Sequence, residues 1–552
     1  MSKNLRHLSA RKGLENNLFN RLGELSSETG TPDKDKLKEL GKEFLVGDAN
    51  AFGTTTFYDF MKPENKGKKA YVCNGSACLC AGTQDNVQQE LEKHLDTNQI
   101  GHMTCLGRCH ENGAFNYNGN NYSAKSATEI EEIVKTGKTP HQDNYHVKAI
   151  CEPALTKPFQ GINYLKGLLK KVFEKTPTEC LTEVINSQVR GRGGAGFPMG
   201  IKLKSAADTP SDIRYVVCNA DEGDPGAYSD RYLMEKQPYQ VLFGMITAGY
   251  AINANWGVLY IRAEYPDSPI IVQNAIDEMT KAGLIGENIL GTGFNFHFKI
   301  IKAQGAYICG EETALLSSIE GQRPEVRIRP PYPTQEGLFG KPTVVNNVET
   351  LAALYYIFET SGKHYATLGT QKSKGTKLVS LDGHFKTPGI YEVEMGTSLR
   401  TIIDDLGGGF RTPIKAMHTG GPLGGIVPVT KIDDLTLDFE SFSENGFLLG
   451  HATIVCIPES FPMIEYLEHL FEFTSFESCG KCFPCRLGTK RGEELIHKAR
   501  TEDYKIDLDL FNDLLDTLQQ GSLCALGGGL PLPVKNAMQY FNEELKDYFH
   551  KA

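Results

Sequence analysis

The chain has 552 residues, 40% hydrophobic and 23% charged, with 58 basic against 68 acidic side chains and a formal net charge of −10. At roughly 150 residues per domain this length predicts about three to four domains, and the proportions exclude collagen-like, low-complexity and wholly disordered chains. The acidic balance argues against a nucleic-acid-binding protein, which needs a basic face.

Residues 1–17 have no apolar core and no small-residue cleavage site, so they do not read as a signal peptide. No run reaches the ~18 apolar residues of a membrane span; the best candidate, 241–254, is interrupted by Gly244, Gly249 and Tyr250. The expectation is a cytoplasmic chain whose 14 cysteines are reduced thiols.

Residues 1–140 read as short helices followed by β segments around the first cysteines. Cys73-x4-Cys78 follows the strand-like run 69–72, and Cys105-x3-Cys109 follows 102–104. Two pairs at strand-to-loop junctions suit two irons with two ligands each, a [2Fe–2S] cluster, although the spacing is not the plant-type one. Zinc and a redox dithiol are the alternatives. Cys80 reads as a bystander.

From 141 to 375, strands such as Tyr215-Val216-Val217 and 258–261 alternate with helical patterns such as 270–282, an α/β arrangement. Here Gly191, Gly193 and Gly196 match G-x-G-x-x-G, but the preceding 181–189 looks helical, so the dinucleotide fingerprint loses its strand. What survives is a loop of closely spaced backbone N–H groups beside Arg190, Arg192, Lys202 and Lys204, which favours an anion. A phosphate-bearing cofactor is the sharp reading and a flexible loop the plain one. The strand-like 216–220 ends in Asp221, Glu222 and Asp224, and Gly310 opens a helix with Glu311 and Glu312 in its first turn. Acidic residues cap helix N-termini, so capping and a role in a cofactor pocket both stand for the Glu pair.

From 376 to 460, turns at Asp382-Gly383 and Thr419-Gly420-Gly421 separate short β-rich runs. After 461 the spacing of Phe461, Ile464, Leu467 and Phe471 is helical. Cys479-x2-Cys482-x2-Cys485 offers three corners of an iron–sulfur cube, but the ferredoxin run's next cysteine is replaced by Thr489. Cys524, alone downstream, supplies the fourth ligand of a [4Fe–4S] cluster; zinc is the alternative. Cys151, Cys180, Cys218, Cys309 and Cys456 lack partners at ligand spacing and read as buried core residues.

Six strings in one order carry a resemblance: RGRGGAGFPMGIK at 190–202, CNADEGDPGAYSDR at 218–231, GAYICGEETALLSSIEG at 305–321, RPPYPTQEGLFGKPTVVNNVETL at 329–351, ESCGKCFPCRLGT at 477–489 and GSLCALG at 521–527. They resemble the NADH-binding flavoprotein subunits of respiratory NADH dehydrogenases, with equally similar relatives in NAD-reducing hydrogenases and NAD-dependent formate dehydrogenases. The segment before 140, with FGTTTFY at 52–58, VCNGSAC at 72–78 and CLGRC at 105–109, resembles the family's thioredoxin-like [2Fe–2S] subunit, fused in front.

The resemblance implies a multidomain α/β protein: a helical plus thioredoxin-like domain (1–140), a Rossmann-like FMN- and NADH-binding domain (141–375), a β-grasp, soluble-ligand-binding domain (376–460) and a helical [4Fe–4S] bundle (461–552). It implies FMN on Gly191, Arg192, Gly193 and Lys202, with Asn219, Asp221, Glu222, Tyr307, Gly310, Glu311, Asn346 and Asn347 completing the pocket. NAD(H) would stack over it, with Phe197 and Tyr332 near the adenine and Glu312 and Lys202 near the ribose or nicotinamide. Asp224, counted with the substrate residues, stands where relatives carry Glu, and Tyr332 where they often carry Phe. The implied activity is hydride transfer between NADH and FMN, with no acid–base residue, then single-electron transfer through the clusters. Partners would be an iron–sulfur electron-transfer protein and a hydrogenase or formate dehydrogenase module. No cysteine cluster follows Cys524, where bifurcating relatives commonly append one. A bifurcating or respiratory host is the alternative, and a non-catalytic iron–sulfur relay or a zinc-stabilised interaction module the reading from another class.

Overall fold

The computed structural model describes residues 3–29, 32–137 and 144–551; the boundary drawn at 140/141 lies outside them. Four parallel strands form the central sheet, in the spatial order His297–Lys302, Trp256–Ile261, Tyr215–Ala220 and Thr343–Asn347. The run Tyr215–Ala220 is buried nearly throughout, as in a sheet covered on both faces. Its side chains alternate between two cores. Val216 and Cys218 face one containing the helices Pro238–Ile252 and Val348–Glu359, while Tyr215 and Val217 face another.

That second core is built partly by the N-terminus. Leu18, Phe19 and Leu22 of the helix Leu18–Thr29, Leu37 and Leu40 of Lys34–Glu43, and Tyr58 all pack there with Val258, Tyr260 and Ile301. Polar contacts fix the seat: Asn17 Nδ2 donates to the Ile319 carbonyl at 2.8 Å and the Tyr58 hydroxyl meets Ser318 Oγ at 2.7 Å. The early helices, grouped by sequence with the first cysteines, therefore cover the sheet of the following segment.

The first cysteines sit on a separate four-stranded sheet, ordered Ile100–Met103, Ala70–Cys73, Phe115–Tyr117 and Asn120–Tyr122. Its first pair is parallel, joined through the helix Gln84–Glu92, and the others are antiparallel. The helix Ala127–Thr136 closes the layer, started by a Ser126/Glu129 capping box and stopped by Gly137 at φ 70°.

A six-stranded mixed sheet follows, ordered Gly425–Pro428, Ile414–Thr419, Thr453–Pro458, Thr376–Leu381, Gly389–Glu394 and His146–Ala149. Its last member comes from far earlier in the chain and pairs parallel with Gly389–Glu394. The helices Met463–Glu477, Thr489–Thr501, Leu508–Gly521 and Pro531–Tyr540 complete the molecule. Among the described residues no helix is long and apolar enough to cross a membrane.

Candidate functional site

Strand order locates the cleft. The strands 215–220, 256–261 and 297–302 step outward in sequence, and 343–347 then returns to the other side of 215–220. Between the carboxyl ends of 215–220 and 343–347 the connections diverge, leaving the crevice where open α/β sheets take ligands. Asn219, Asp221, Asn346 and Asn347 stand at that end.

The glycine loop lies across it. As expected, the loop follows a helix, Pro177–Ser187, and leads into another, Met199–Asp208. It is closed by the Gly191 N–H donating to the Phe197 carbonyl at 2.9 Å. Gly194 and Gly196 take φ of 121° and 61°, and a Cβ on Gly193 would sit 2.9 Å from that of Asn347. The close approach to the strand end therefore demands glycine.

Around the loop the polar groups fall into two sets. Lys202 Nζ lies 3.1 Å from Glu312 Oε2 and donates to the Val345 carbonyl, while Arg329 holds Glu312 Oε1 at 2.8 Å. Asn219 Nδ2 donates to the Gly310 carbonyl at 2.7 Å, and the Tyr307 hydroxyl to Asp224 Oδ1 at 2.7 Å. Burial pushes the Asp221 and Asp224 carboxyls up from their ordinary range. Asp221 Oδ2 and Asn346 Nδ2 are buried with no hydrogen-bond partner. Buried polar atoms are normally paired, so these two mark a place for ligand atoms. Phe197 and Tyr332 are 48% and 54% exposed, so neither ring is part of a core.

Three of the pocket residues face elsewhere. The Arg192 guanidinium is 1% exposed and donates to the Tyr365 hydroxyl and the Lys374 carbonyl, while its backbone N–H donates to Thr350 Oγ1 at 2.8 Å. Glu311 caps the helix Glu312–Ile319, accepting the Thr313 and Ala314 N–H groups, so the capping reading holds for that residue. Glu222 is buried behind the crevice against the Asp230 and Arg231 N–H groups, the Tyr265 hydroxyl and His451. Glu222, Asp230 and His451 form a buried group; the resemblance names Glu222, but its pairing with Asp230 and with the remote His451 was not legible, because no common spacing joins them.

Each cysteine quartet converges. Cys479 and Cys482 follow the helix Met463–Glu477, Cys485 sits in the turn entering Thr489–Thr501, and Cys524 begins Ala525–Gly529. Burial pushes Cys485 up to about 11 and Cys524 to about 12, so as bare thiols they stay protonated, and metal binding must displace the protons. Cys73, Cys78, Cys105 and Cys109 are buried together. Cys105 and Cys109 sulfurs lie 3.3 Å apart, and the Gly226 N–H donates to Cys109 Sγ at 3.1 Å. Cys80 belongs to a different core, as a bystander should.

A zinc tetrahedron with Zn–S near ~2.3 Å draws its sulfurs to roughly 3.8 Å of one another. Four converging thiols suit either zinc or an iron–sulfur cluster, and the unligated sulfur spacings do not separate the two.

Comparison with known proteins gives three family matches: the Nuo51 FMN-binding domain over residues 184–356, the NADH-ubiquinone oxidoreductase-F iron–sulfur binding region over 465–548, and the thioredoxin-like [2Fe–2S] ferredoxin over 6–138. The chain is 42% identical to the NADP-reducing hydrogenase subunit HndC of Solidesulfovibrio fructosivorans, covering 68% of this chain and 77% of that one. It is 33% identical to the NAD-reducing hydrogenase HoxS subunit alpha of Cupriavidus necator, covering 95% and 91%. Identity to the mitochondrial NADH dehydrogenase [ubiquinone] flavoprotein 1 of Dictyostelium discoideum is 37%, covering 70% and 83%. Among solved structures, an NAD+-reducing [NiFe]-hydrogenase in the H2-reduced state superposes with a TM-score of 0.86 at 27% identity, covering 97% of this chain and 93% of that one.

Proposed function

The chain belongs to the family of FMN-binding flavoprotein subunits of NADH dehydrogenases and NAD-reducing hydrogenases, and on that premise we propose that it exchanges electrons between NAD(H) and partner redox subunits, as the diaphorase of a cytoplasmic NAD-reducing hydrogenase. The glycine loop seated over the strand ends, with unpartnered Asn346 and Asp221 atoms beside it, carries the reading. The hydrogenase host is favoured because one such relative aligns with 95% of the chain, more than the family's flavoprotein region alone spans.

When bound, FMN supplies a hydride acceptor that releases electrons singly, and the iron–sulfur clusters carry them. This chain's residues bind and orient. The loop backbone from Gly191 to Gly193, with Asn219, Asp221, Asn346 and Asn347, would hold the flavin. Lys202 and Glu312, locked together at 3.1 Å, would meet the ribose and nicotinamide end of NAD(H), while Phe197 and Tyr332 offer ring faces to the adenine. Holding donor and acceptor at contact distance is itself the main catalytic contribution, so no acid–base residue is assigned. Cys479, Cys482, Cys485 and Cys524 would hold the [4Fe–4S] cluster, and Cys73, Cys78, Cys105 and Cys109 the [2Fe–2S] cluster.

The test is an anaerobic NADH titration of the purified chain, followed by absorbance and EPR and compared with dithionite. Flavin bleaching with cluster signals is the expected result. Clusters that dithionite reduces, with no flavin and no response to NADH, would leave an electron relay instead.

A further inference from the structure

Behind the end of the strand Thr343–Asn347 lies a closed compartment that the proposed function does not use. Asp230, on the helix Ser229–Lys236, is 1% exposed. Its Oδ2 accepts from Asn347 Nδ2 at 2.5 Å and lies 3.6 Å from His451 Nε2, while its Oδ1 is buried with no donor. His451 Nε2 also lies 3.2 Å from Glu222 Oε1, and a fully buried pair, Lys377 with Glu349, closes the far side. The charged groups facing Asp230 are therefore Glu222, Glu349, His451 and Lys377, with the Cys218 thiol on the strand beneath. Arg231, next in sequence, is turned to Glu235 at 3.8 Å.

Three carboxyl groups share this water-poor space with two cations. One negative charge is left over, and an uncompensated buried carboxylate costs far more than a protonated one. The oxygen without a donor is on Asp230. The arrangement also touches the cleft, because the Asn347 side chain that Asp230 holds is the surface against which Gly193 packs.

We propose that Asp230 is a proton-holding positioning residue of the flavin cleft: neutral, it fixes the Asn347 amide under the glycine loop, and on losing its proton it charges the cleft wall and weakens FMN binding. Burial, partly offset by His451, pushes the Asp230 carboxyl up to about 8. Burial alone would lower His451, but Asp230 and Glu222 beside it hold the imidazole up at about 9. Of the two partners Asp230 is the one with an oxygen lacking a donor, so the proton is placed there. FMN is an anion, so it prefers the neutral form of Asp230, and its affinity falls by up to about tenfold per pH unit above the transition.

The inference rests on the FMN reading of the cleft. Its test uses the full chain stripped of flavin and FMN fluorescence titrations from about pH 6.5 to about 9.5. The wild-type affinity is expected to hold level to about pH 8 and then fall, whereas Asp230→Asn stays level throughout, near the wild-type low-pH value. His451→Gln removes a cation that favours the ionised carboxyl, so the fall moves to higher pH. Ionisation of free FMN is common to all three titrations and cancels between them. The same fall in Asp230→Asn, or a wild type with no fall, overturns the inference and leaves the FMN reading standing. Should Asp230→Asn not fold, a fall that His451→Gln leaves in place overturns it equally. A wild-type chain that takes up no FMN at any pH overturns both.

Discussion

Glu312 carries two contacts at once, to Lys202 at 3.1 Å and to Arg329 at 2.8 Å, and its side chain remains partly open to solvent. That makes it a preorganised acceptor whose loss is felt by the substrate rather than by the fold. Removing a charged hydrogen-bond partner costs about 1.5–3 kcal/mol, so Glu312→Ala is expected to raise the KM for NADH by roughly one to two orders of magnitude. Flavin content should stay near that of the wild type, because Glu312 lies on the Lys202 side and not among the strand-end amides. Steady-state kinetics with flavin quantitation checks both halves, and an unchanged KM would remove Glu312 from the substrate site. The residues legible from sequence were those in motifs where several chemical types stand together, such as the glycine loop and the cysteine triplet. Side-chain direction was not legible. Arg192 sits between two loop glycines, yet its guanidinium runs inward to Tyr365, a partner 173 positions away. Asp230 and His451 escaped for the same reason: a buried proton site built from separate segments leaves no spacing to read.

The helix Met463–Glu477 connects the two iron–sulfur sites, and two neutral histidines pin it. His418, on the strand Ile414–Thr419, meets the Tyr466 hydroxyl through Nδ1 at 2.8 Å and the Gly424 carbonyl through Nε2 at 3.2 Å. The carbonyl requires a donor, so Nε2 carries a proton, and burial disfavours a second one on Nδ1. His469 on the helix lies 3.1 Å from Ser76 Oγ, two residues before Cys78. Burial lowers both imidazoles to about 4 from an ordinary 6.5. Between those values the opened chain holds protons that the folded one does not, so stability falls as pH drops through the window, by up to about 3 kcal/mol for each histidine. Hydrogen exchange in 414–419 and 463–477, corrected for intrinsic rates, should therefore accelerate from pH 6.5 downward. His418→Gln should halve that dependence, and the double variant with His469→Gln should abolish it; an unchanged dependence in the double variant refutes the assignment. At this scale the long apolar strands and the amphipathic helices were plain in the sequence. The strand His146–Ala149 was not, because four mostly exposed residues show no alternation and its pairing with Gly389–Glu394 is a matter of tertiary position.

Across the whole molecule, the unexpected relation is that the N-terminal helices complete the flavin sheet. A parallel sheet must be covered on both faces, and here one cover is made by residues nearly 200 positions before the first strand's end. Sequence grouped these helices with the first cysteines because they are adjacent in the chain and because fusion of two familiar modules suggests a junction after them. The ferredoxin family match over 6–138 likewise takes in both, and the packing adds that the helices also cover the sheet of the following segment. Phe19 is fully buried, its ring 5.0 Å from Tyr58 and 6.3 Å from Tyr260 on the sheet, whereas Cys73 to Cys109 pack into the core on the sheet's other face. A cavity at Phe19 should therefore destabilise the flavin region without reaching the [2Fe–2S] site. Phe→Ala changes in cores cost about 3–5 kcal/mol. In the holoprotein, Phe19→Ala is expected to lower the temperature of flavin release by several degrees while the EPR signal of the Cys73–Cys109 cluster keeps its line shape. Parallel loss of both would mean that the front of the chain acts as one unit docked on the sheet. Loss of the cluster signal alone would mean that the N-terminal helices serve the first cysteines after all.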